Sequence, residues 1–495
     1  MKKIFVLILV FAALLSAGKN SEGYLPGGLE IKAVRWLSEK PEISAMSEAE
    51  GNPYLIDSPS VIGFVPYAAV TLTNERKQDL EYEAVKEHYV RGGPLISDPN
   101  QNYEVGVFDT GASSMVFGYE KRMNLGLDYY YMTSNYMTIG GIAGYVDTLV
   151  SKPIGVYIAG LGSIDEQTGD LSLDDMVGLS NFAVLAGEPP AQDEPDLPTV
   201  IGCPMAASWS VTIDMDTQIS VEKNSRSYSG PKLEVFDYYD SEIPEYPNSI
   251  PLELRPLGAA MISYTPSLDG LGGDFSPSSP SVIQGMSSQS LMFVSAVDME
   301  NNGNLAYDKD RFMFDTGAQA TIVGNRVAAR LGLDPMNPDF ELYASGVTGD
   351  VIMLPGFVID KITIPALGNW LEFKNVPVVV HDVPSPEGGT LDGIIGTNLF
   401  NDFNLVLNGG GIGFQDDPSI DFIPRDVPFV PADFAPENPD GAVDMADFDF
   451  FRNYWLTEYG QPGYVQKADL APYPVPDDIV NMLDFAEFAA EWKEF

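Results

Sequence analysis

Two strings constrain this chain more than any other feature. GVFDTGASSMVFG occupies 106–118 and FMFDTGAQATIVG occupies 312–324, so an Asp-Thr-Gly-Ala turn closes an apolar run twice in the same way. Each apolar run carries one carboxylate, Asp109 or Asp315, into a protected place. Thr110 and Thr316 supply hydroxyls that can bond across to a facing segment. Gly111 and Gly317 let the backbone turn tightly beside the carboxylate, and Ala112 and Ala318 keep the turn uncrowded. One such turn displays one carboxylate; two facing turns display a pair.

The match continues downstream in the same order. LGLD recurs at 125–128 and 331–334. A glycine-bearing stretch follows, with Gly140, Gly141 and Tyr145 in the first copy and Gly346 and Gly349 in the second. An Ile-Gly segment closes each copy, TVIGCPM with Gly202 and DGIIGTNLF with Gly396. An internal repeat of this length predicts two lobes of roughly 200 residues each.

The local patterns predict a mainly β chain. YAAVTLT, GVYIAGL, SVTIDM, LMFVSAV, GFVIDKITI and VPVVVHDV are short apolar runs between clusters of Gly, Pro, Asn and Asp, the pattern of strands. Helical patterns are few; GNRVAARLGLD and GYEKRMNLGLD, each just after a DTGA turn, are the candidates.

Two carboxylates within hydrogen-bonding reach cannot both ionise cheaply, so one proton is shared. The ionised member can act as general base on a water, and the protonated one can donate to a carbonyl oxygen. Here the motifs resemble those of the retropepsin-like and pepsin-like aspartic proteases, over about 56–414. The Ala after Asp-Thr-Gly is similar to retropepsin units, and two units in one chain are similar to the two lobes of pepsin. The resemblance implies a two-lobed pepsin-like acid protease fold built from tandem retropepsin-like units. It also implies an Asp109/Asp315 dyad, Ile-Gly segments packed under the Asp turns, and a flap over the substrate. Tyr136, Gly140, Gly141, Tyr145, Gly346 and Gly349 are the flap candidates. The expected activity is endopeptidase hydrolysis of a protein or peptide substrate, with no cofactor for catalysis. The alternative is a non-catalytic peptide-binding or cell-surface scaffold with the same fold.

Composition limits other chemistries. With 71 Asp and Glu against 27 Lys and Arg, the formal charge is -44, and no nucleic-acid partner is expected. Cys203 is the one cysteine, so no intramolecular disulfide can form; its apolar setting reads as a buried, inert thiol. Only two histidines, His88 and His381, are present, and neither HExxH nor GxSxG occurs.

The start, two lysines, an apolar run and small residues, reads as a signal peptide over 1–18, so the protein is expected to be secreted or on the cell surface, with no membrane span once the signal is removed. Residues 19–55 form an N-terminal segment that could be a propeptide. The lobes are expected at 56–250 and 251–416, with a Pro-rich acidic linker at 417–431. Two fused units remove the need to dimerise, so a monomer is expected.

Residues 432–495 hold a second internal repeat. Asp433 pairs with Asp469, Asp440 with Asp477, Asp444 with Asn481 and Asp447 with Asp484, and Asn438 adds a further oxygen ligand. The pattern D-G-x-V-D-x-x-D-F resembles a dockerin module, a relative of the EF-hand loop, in which each loop feeds a short amphipathic helix. That resemblance implies calcium and a cohesin-like docking partner. Pro436 stands at the usual first ligand position, and Asp478 replaces the loop glycine of the second repeat. An acidic helical hairpin without metal is the other reading.

Overall fold

The computed structural model describes residues 5–9, 30–37, 55–73, 101–141, 144–152, 154–165, 167–172, 176–190, 196–224, 226–236, 240–256, 290–294, 296–309, 312–345, 351–367, 370–384, 390–409 and 418–425. The tail repeat and its nine proposed calcium ligands lie outside them, as do Gly346 and Gly349. Among the described residues, strands dominate and helices are short. None of those helices is long and apolar enough to cross a membrane.

The two DTGA turns sit in matching frames. Strand Glu104–Asp109 ends on the first carboxylate, and Phe312–Phe314 ends just before the second. An antiparallel neighbour flanks each, Tyr67–Thr73 in the first case and Ser290–Val294 in the second. On the other side the Ile-Gly strands, Val200–Gly202 and Gly393–Ile395, run parallel. Each of these pairs antiparallel with the short strand after its turn, Val116–Phe117 or Ile322–Val323. Burial explains the choice of residues: every side chain of these central strands is buried, so continuous apolar runs replace alternation.

Both expected helices form, as Tyr119–Asn124 and Asn325–Leu331. The shared LGLD ending has a conformational cause. Gly126 and Gly332 both sit at φ 74, the left-handed region in which a side chain is strained, and so the chain leaves each helix the same way. Carboxylates serve the opposite ends: Asp196 accepts from the amides of Tyr119 and Glu120, and Asp382 from that of Asn325.

A β-hairpin follows each helix. The first is Met132–Gly141 with Gly144–Ser151, and the second Phe340–Ser345 with Val351–Pro365. Phe5–Leu9, inside the expected signal peptide, lies parallel to the first hairpin's outer strand.

Two expected boundaries run into the sheets. The limit drawn between 250 and 251 falls inside the strand Asn248–Pro256. Within the stretch 417–431 expected as a linker, Ser419–Pro424 is a strand between Phe403–Asn408 and Asn248–Pro256, with Ile420 and Phe422 fully buried. Its alternation is hidden in the sequence by flanking Asp and Pro. Ser210–Lys223 and Arg226–Phe236, placed in the first lobe by number, continue this sheet beside Phe403–Asn408. Residues of both lobes therefore share one sheet, and one core cluster runs from Phe108 and Ile158 through Trp209 to Phe314 and Phe373.

The segment read as a propeptide also enters the fold. Glu30–Trp36 adds an antiparallel strand to Phe340–Ser345 of the second hairpin, burying Ile31 and Val34, and Leu55–Asp57 runs parallel to Trp370–Val380.

Candidate active site

The frames bring Asp109 and Asp315 together, both essentially without solvent exposure. Two reciprocal pairs of hydrogen bonds clamp the turns. The Thr110 amide donates to Thr316 Oγ1 and the Thr316 amide to Thr110 Oγ1, each at 3.0 Å. The hydroxyls donate onward across the interface, Thr110 Oγ1 to the Phe314 carbonyl at 2.8 Å and Thr316 Oγ1 to the Phe108 carbonyl at 2.6 Å. Each hydroxyl thus ties its own turn to the strand that carries the opposite carboxylate. Such bonds are worth about 0.5–1.5 kcal/mol each, and more if a buried carbonyl is orphaned.

Within each turn the carboxylate is held by its own backbone. Asp109 Oδ1 accepts from the amides of Gly111 at 2.8 Å and Ala112 at 3.0 Å, and Asp315 Oδ1 from that of Gly317 at 2.8 Å. The glycines are crossed. A Cβ on Gly111 would lie 2.3 Å from Cγ of Asp315, and one on Gly317 would lie 2.5 Å from Cγ of Asp109. Each unit's glycine therefore gives the other unit's carboxyl its space. The Ile-Gly segments press against the turns from below: the Cys203 and Thr397 amides donate to the Ala112 and Ala318 carbonyls at 2.7 and 2.8 Å.

Asp109 Oδ2 and Asp315 Oδ2 are buried and accept from no donor among the described residues, and each carboxyl lies close enough to influence the other's ionisation. These statements agree once a proton is shared, since two bare carboxylates offer no donor. Burial, the Asp315 charge and the bond to Asp315 push Asp109 well above the usual carboxylate range. Burial raises Asp315 to about 6; bonds from Asp109, Gly317, Ala318 and Gly111 oppose the rise. Burial raises both members, and the ionisations belong to the pair, which holds one proton between them.

A folded-state value above the ordinary one means that the folded protein holds its protons more tightly than the unfolded chain. The associated stability is complete below the ordinary value of 3.8 and is lost as pH rises through about 6. Thermal melts from pH 4 to 8 are expected to show a fall in melting temperature whose Asp315 part runs from about pH 4 and levels off near pH 6. The fall should be smaller in a variant without Asp315, where burial still raises Asp109.

The other expected site residues are distributed unequally. Thr110, Gly111, Ala112, Thr316, Gly317 and Ala318 are all at the dyad. Gly140 and Gly141 end the outer strand of the first hairpin, and Tyr145 lies opposite Gly140. Tyr136 is not brought to the carboxylates; it is half exposed and its hydroxyl donates to Glu188 Oε1 at 3.2 Å. It sits on the face opposite Met137 and Ile139, which pack into the core beside Ala112 and Val116. Cys203 is buried, as its setting suggested, and burial pushes its thiol far above the usual range.

Sequence reading overlooked two groups. Arg122 is fully buried, donating to the carbonyls of Gly187 and Leu127 while its guanidinium stacks 4.9 Å from the Tyr119 ring centre and 4.7 Å from that of Tyr129. Glu104, at the start of the Asp109 strand, is buried with Lys121 Nζ at 3.7 Å and Asn124 Nδ2 at 2.9 Å. Nothing in a helical YEKRMN string marks its cations as internal.

Residues 297–399 match the family model described as aspartyl protease. The match contains Asp315, Gly317, Ala318 and the Ile-Gly strand Gly393–Ile395, and does not extend to Asp109. No curated protein matches the chain. Among solved structures, the chain is similar to the aspartic proteinase from Irpex lacteus, at 12% identity and a TM-score of 0.35, over 74% of this chain and 97% of that one.

Proposed function

We propose that this protein is a single-chain aspartic endopeptidase in which two retropepsin-like units supply one carboxylate each. The observation that carries the reading is the crossed geometry of the turns, with each glycine packed on the opposite carboxyl and the pair buried in hydrogen-bonding reach. The equivalence of the strand pairings around Asp109 and Asp315 supports the tandem-unit interpretation. The aspartyl protease match to the second unit supports the chemistry.

The reaction follows from one proton on the pair. Asp315, ionised, takes a proton from a water whose oxygen attacks the peptide carbonyl carbon. Asp109 gives its proton to the carbonyl oxygen, leaving a neutral tetrahedral diol. Asp315 then passes its new proton to the amide nitrogen as the C–N bond breaks, and one diol hydroxyl returns a proton to Asp109. The charges balance without a metal ion or covalent intermediate. The hairpins Met132–Gly141/Gly144–Ser151 and Phe340–Ser345/Val351–Pro365 are the segments that carry or border the flap candidates, and in this reading their closure over a bound peptide excludes water.

The protein acts outside the cytoplasm after loss of residues 1–18. The module at 432–495 binds calcium through Asp433, Asn438, Asp440, Asp444, Asp447, Asp469, Asp477, Asn481 and Asp484 and docks to a cohesin-type partner, with the catalytic part a monomer. These readings rest on the sequence patterns.

The deciding experiment incubates the protein with an unfolded protein substrate between pH 4 and 8 in 18O-labelled water. One labelled oxygen should enter each new carboxyl terminus, with an acid limb near pH 6. Absence of cleavage at every pH would favour the peptide-binding scaffold. A calcium titration followed by circular dichroism in the same preparation tests the tail; no response would leave an acidic hairpin.

A further inference from the structure

The two DTGA strings differ at the fourth residue after the carboxylate, Ser113 in one and Gln319 in the other. Ser113 is buried and its hydroxyl has no hydrogen-bond partner among the described residues. Gln319, by contrast, clasps a segment that comes from the other end of the chain. Its carbonyl accepts from the Gly63 amide at 2.7 Å, and its Nε2 donates back to the Gly63 carbonyl at 2.9 Å.

Gly63 is pressed so closely that a Cβ would lie 2.2 Å from both the Asn398 amide nitrogen and Thr397 Oγ1. Around it, Thr397 Oγ1 donates to the Phe64 carbonyl at 2.7 Å, Asn401 Nδ2 to that of Ile62 at 3.1 Å and Asn398 Nδ2 to that of Ser60 at 3.2 Å. Asn398 is itself held by Thr321 Oγ1, on the strand side of the Asp315 turn. Two residues beyond Phe64, the Pro66 carbonyl accepts from the Phe108 amide at 2.9 Å, immediately before Asp109.

We infer that Gln319 is a positioning residue for the dyad, acting through the strap 60–66, which joins the Asp315 turn to the Asp109 strand by a route separate from the threonine bonds. This rests on the reading of the pair as a protease dyad, but its geometry stands without it. The strap thereby adds a second set of bonds that fixes the Asp315 turn relative to the Asp109 strand, beside the threonine bonds. Releasing the strap lets the carboxyls separate. Their mutual influence then weakens, so Asp109 loses part of its upward push and Asp315 loses part of the bond that restrains it. The two ionisations move toward each other. Cys203 is the other titratable group against the pair, and its thiol is held far above this range.

The test uses Gln319→Ala and, at a second grip on the same strap, Asn401→Ala, in the full-length protein. Gln319 is only partly buried, so its truncation should leave the fold intact. In a cleavage assay, kcat is expected to fall by about 10- to 100-fold with little change in KM, as a slight misplacement of reacting groups does. The pH–rate bell should narrow from both sides. Thermal melts against pH give a readout that needs no turnover: the levelling-off near pH 6 should shift upward in both variants. A wild-type protein that cleaves nothing would defeat the protease reading alone. Variants that keep both the wild-type bell and the wild-type levelling-off would overturn the strap.

Discussion

Asp315→Asn is expected to reduce cleavage by about 10³-fold or more, because the general base is lost while its turn is kept. Asn can still accept the Gly317 amide through its side-chain oxygen. The same loss is expected for Asp109→Asn, which removes the proton donor. The two effects should not multiply in the double variant, since the carboxyls act as a unit. Stability should move the opposite way to activity. The gap between the ordinary 3.8 and the raised value of about 6 converts to about 3 kcal/mol of unfavourable burial once Asp315 is charged. A side-chain amide at this position never takes that charge. Asp315→Asn should therefore melt higher than wild type at pH 8 and about equally at pH 4. Cleavage assays and melts at both pH values on one preparation check the pair of effects. Retained cleavage, or a melting temperature lowered at pH 8, would contradict the buried-dyad account.

Gly111→Ala carries the second large effect. The added methyl would stand 2.3 Å from Cγ and Oδ2 of Asp315 and 2.6 Å from its Oδ1, well inside any contact distance. The obstructing atoms belong to a carboxyl held by backbone amides, so either the turn or the carboxyl must move. Such overpacking typically costs about 1–3 kcal/mol. A displacement of about 1 Å at the dyad is expected to cost about 10²-fold in kcat/KM. Gly317→Ala should mirror it through Asp109. Gly162→Ala is the control, because its nearest neighbour would be Lys232 Cε at 4.0 Å. Steady-state kinetics on folded preparations of the three variants separates a site-specific clash from a general sensitivity to alanine.

The dyad was legible because its demands are local. A carboxylate at a strand end, a hydroxyl, a glycine and a small residue write themselves into consecutive positions, and the duplicate supplied the partner. The two helices were legible for the same reason, whereas the left-handed conformation behind their shared LGLD ending appears only in the structure. Ser419–Pro424 was not: its buried Ile420 and Phe422 follow strand periodicity, but six residues between acidic and proline-rich flanks look like a tether. Glu30–Trp36 is defined by the edge it covers on Phe340–Ser345, a partner more than half the chain away. Gln319 and Arg122 failed in a different manner. Their roles depend on what faces them, Gly63 in one case and two tyrosine rings in the other, and no neighbouring residue announces either contact. Tyr136, a flap candidate in the sequence, bonds Glu188 on the outer face of its hairpin, a placement its neighbours in sequence do not announce.

The strands contributed by the first 57 residues also set an order of assembly. Glu30–Trp36 and Leu55–Asp57 leave the ribosome early, yet their partners, Phe340–Ser345 and Trp370–Val380, are made roughly 300 residues later. At about 5–20 residues per second, these apolar edges wait for tens of seconds before a native neighbour exists. Pairings so distant in sequence are slow to close even afterwards. The shared sheet imposes a shorter delay on Ser210–Lys223: it can pair at once with Arg226–Phe236, but its other partner, Phe403–Asn408, is made roughly 190 residues later. The ten-stranded sheet around Asp109 draws only on strands between Phe5 and Gly202 and can form early, but the sheet around Asp315 closes only when Gly393–Ile395 is made, so the two carboxyls meet only after most of the described chain has emerged.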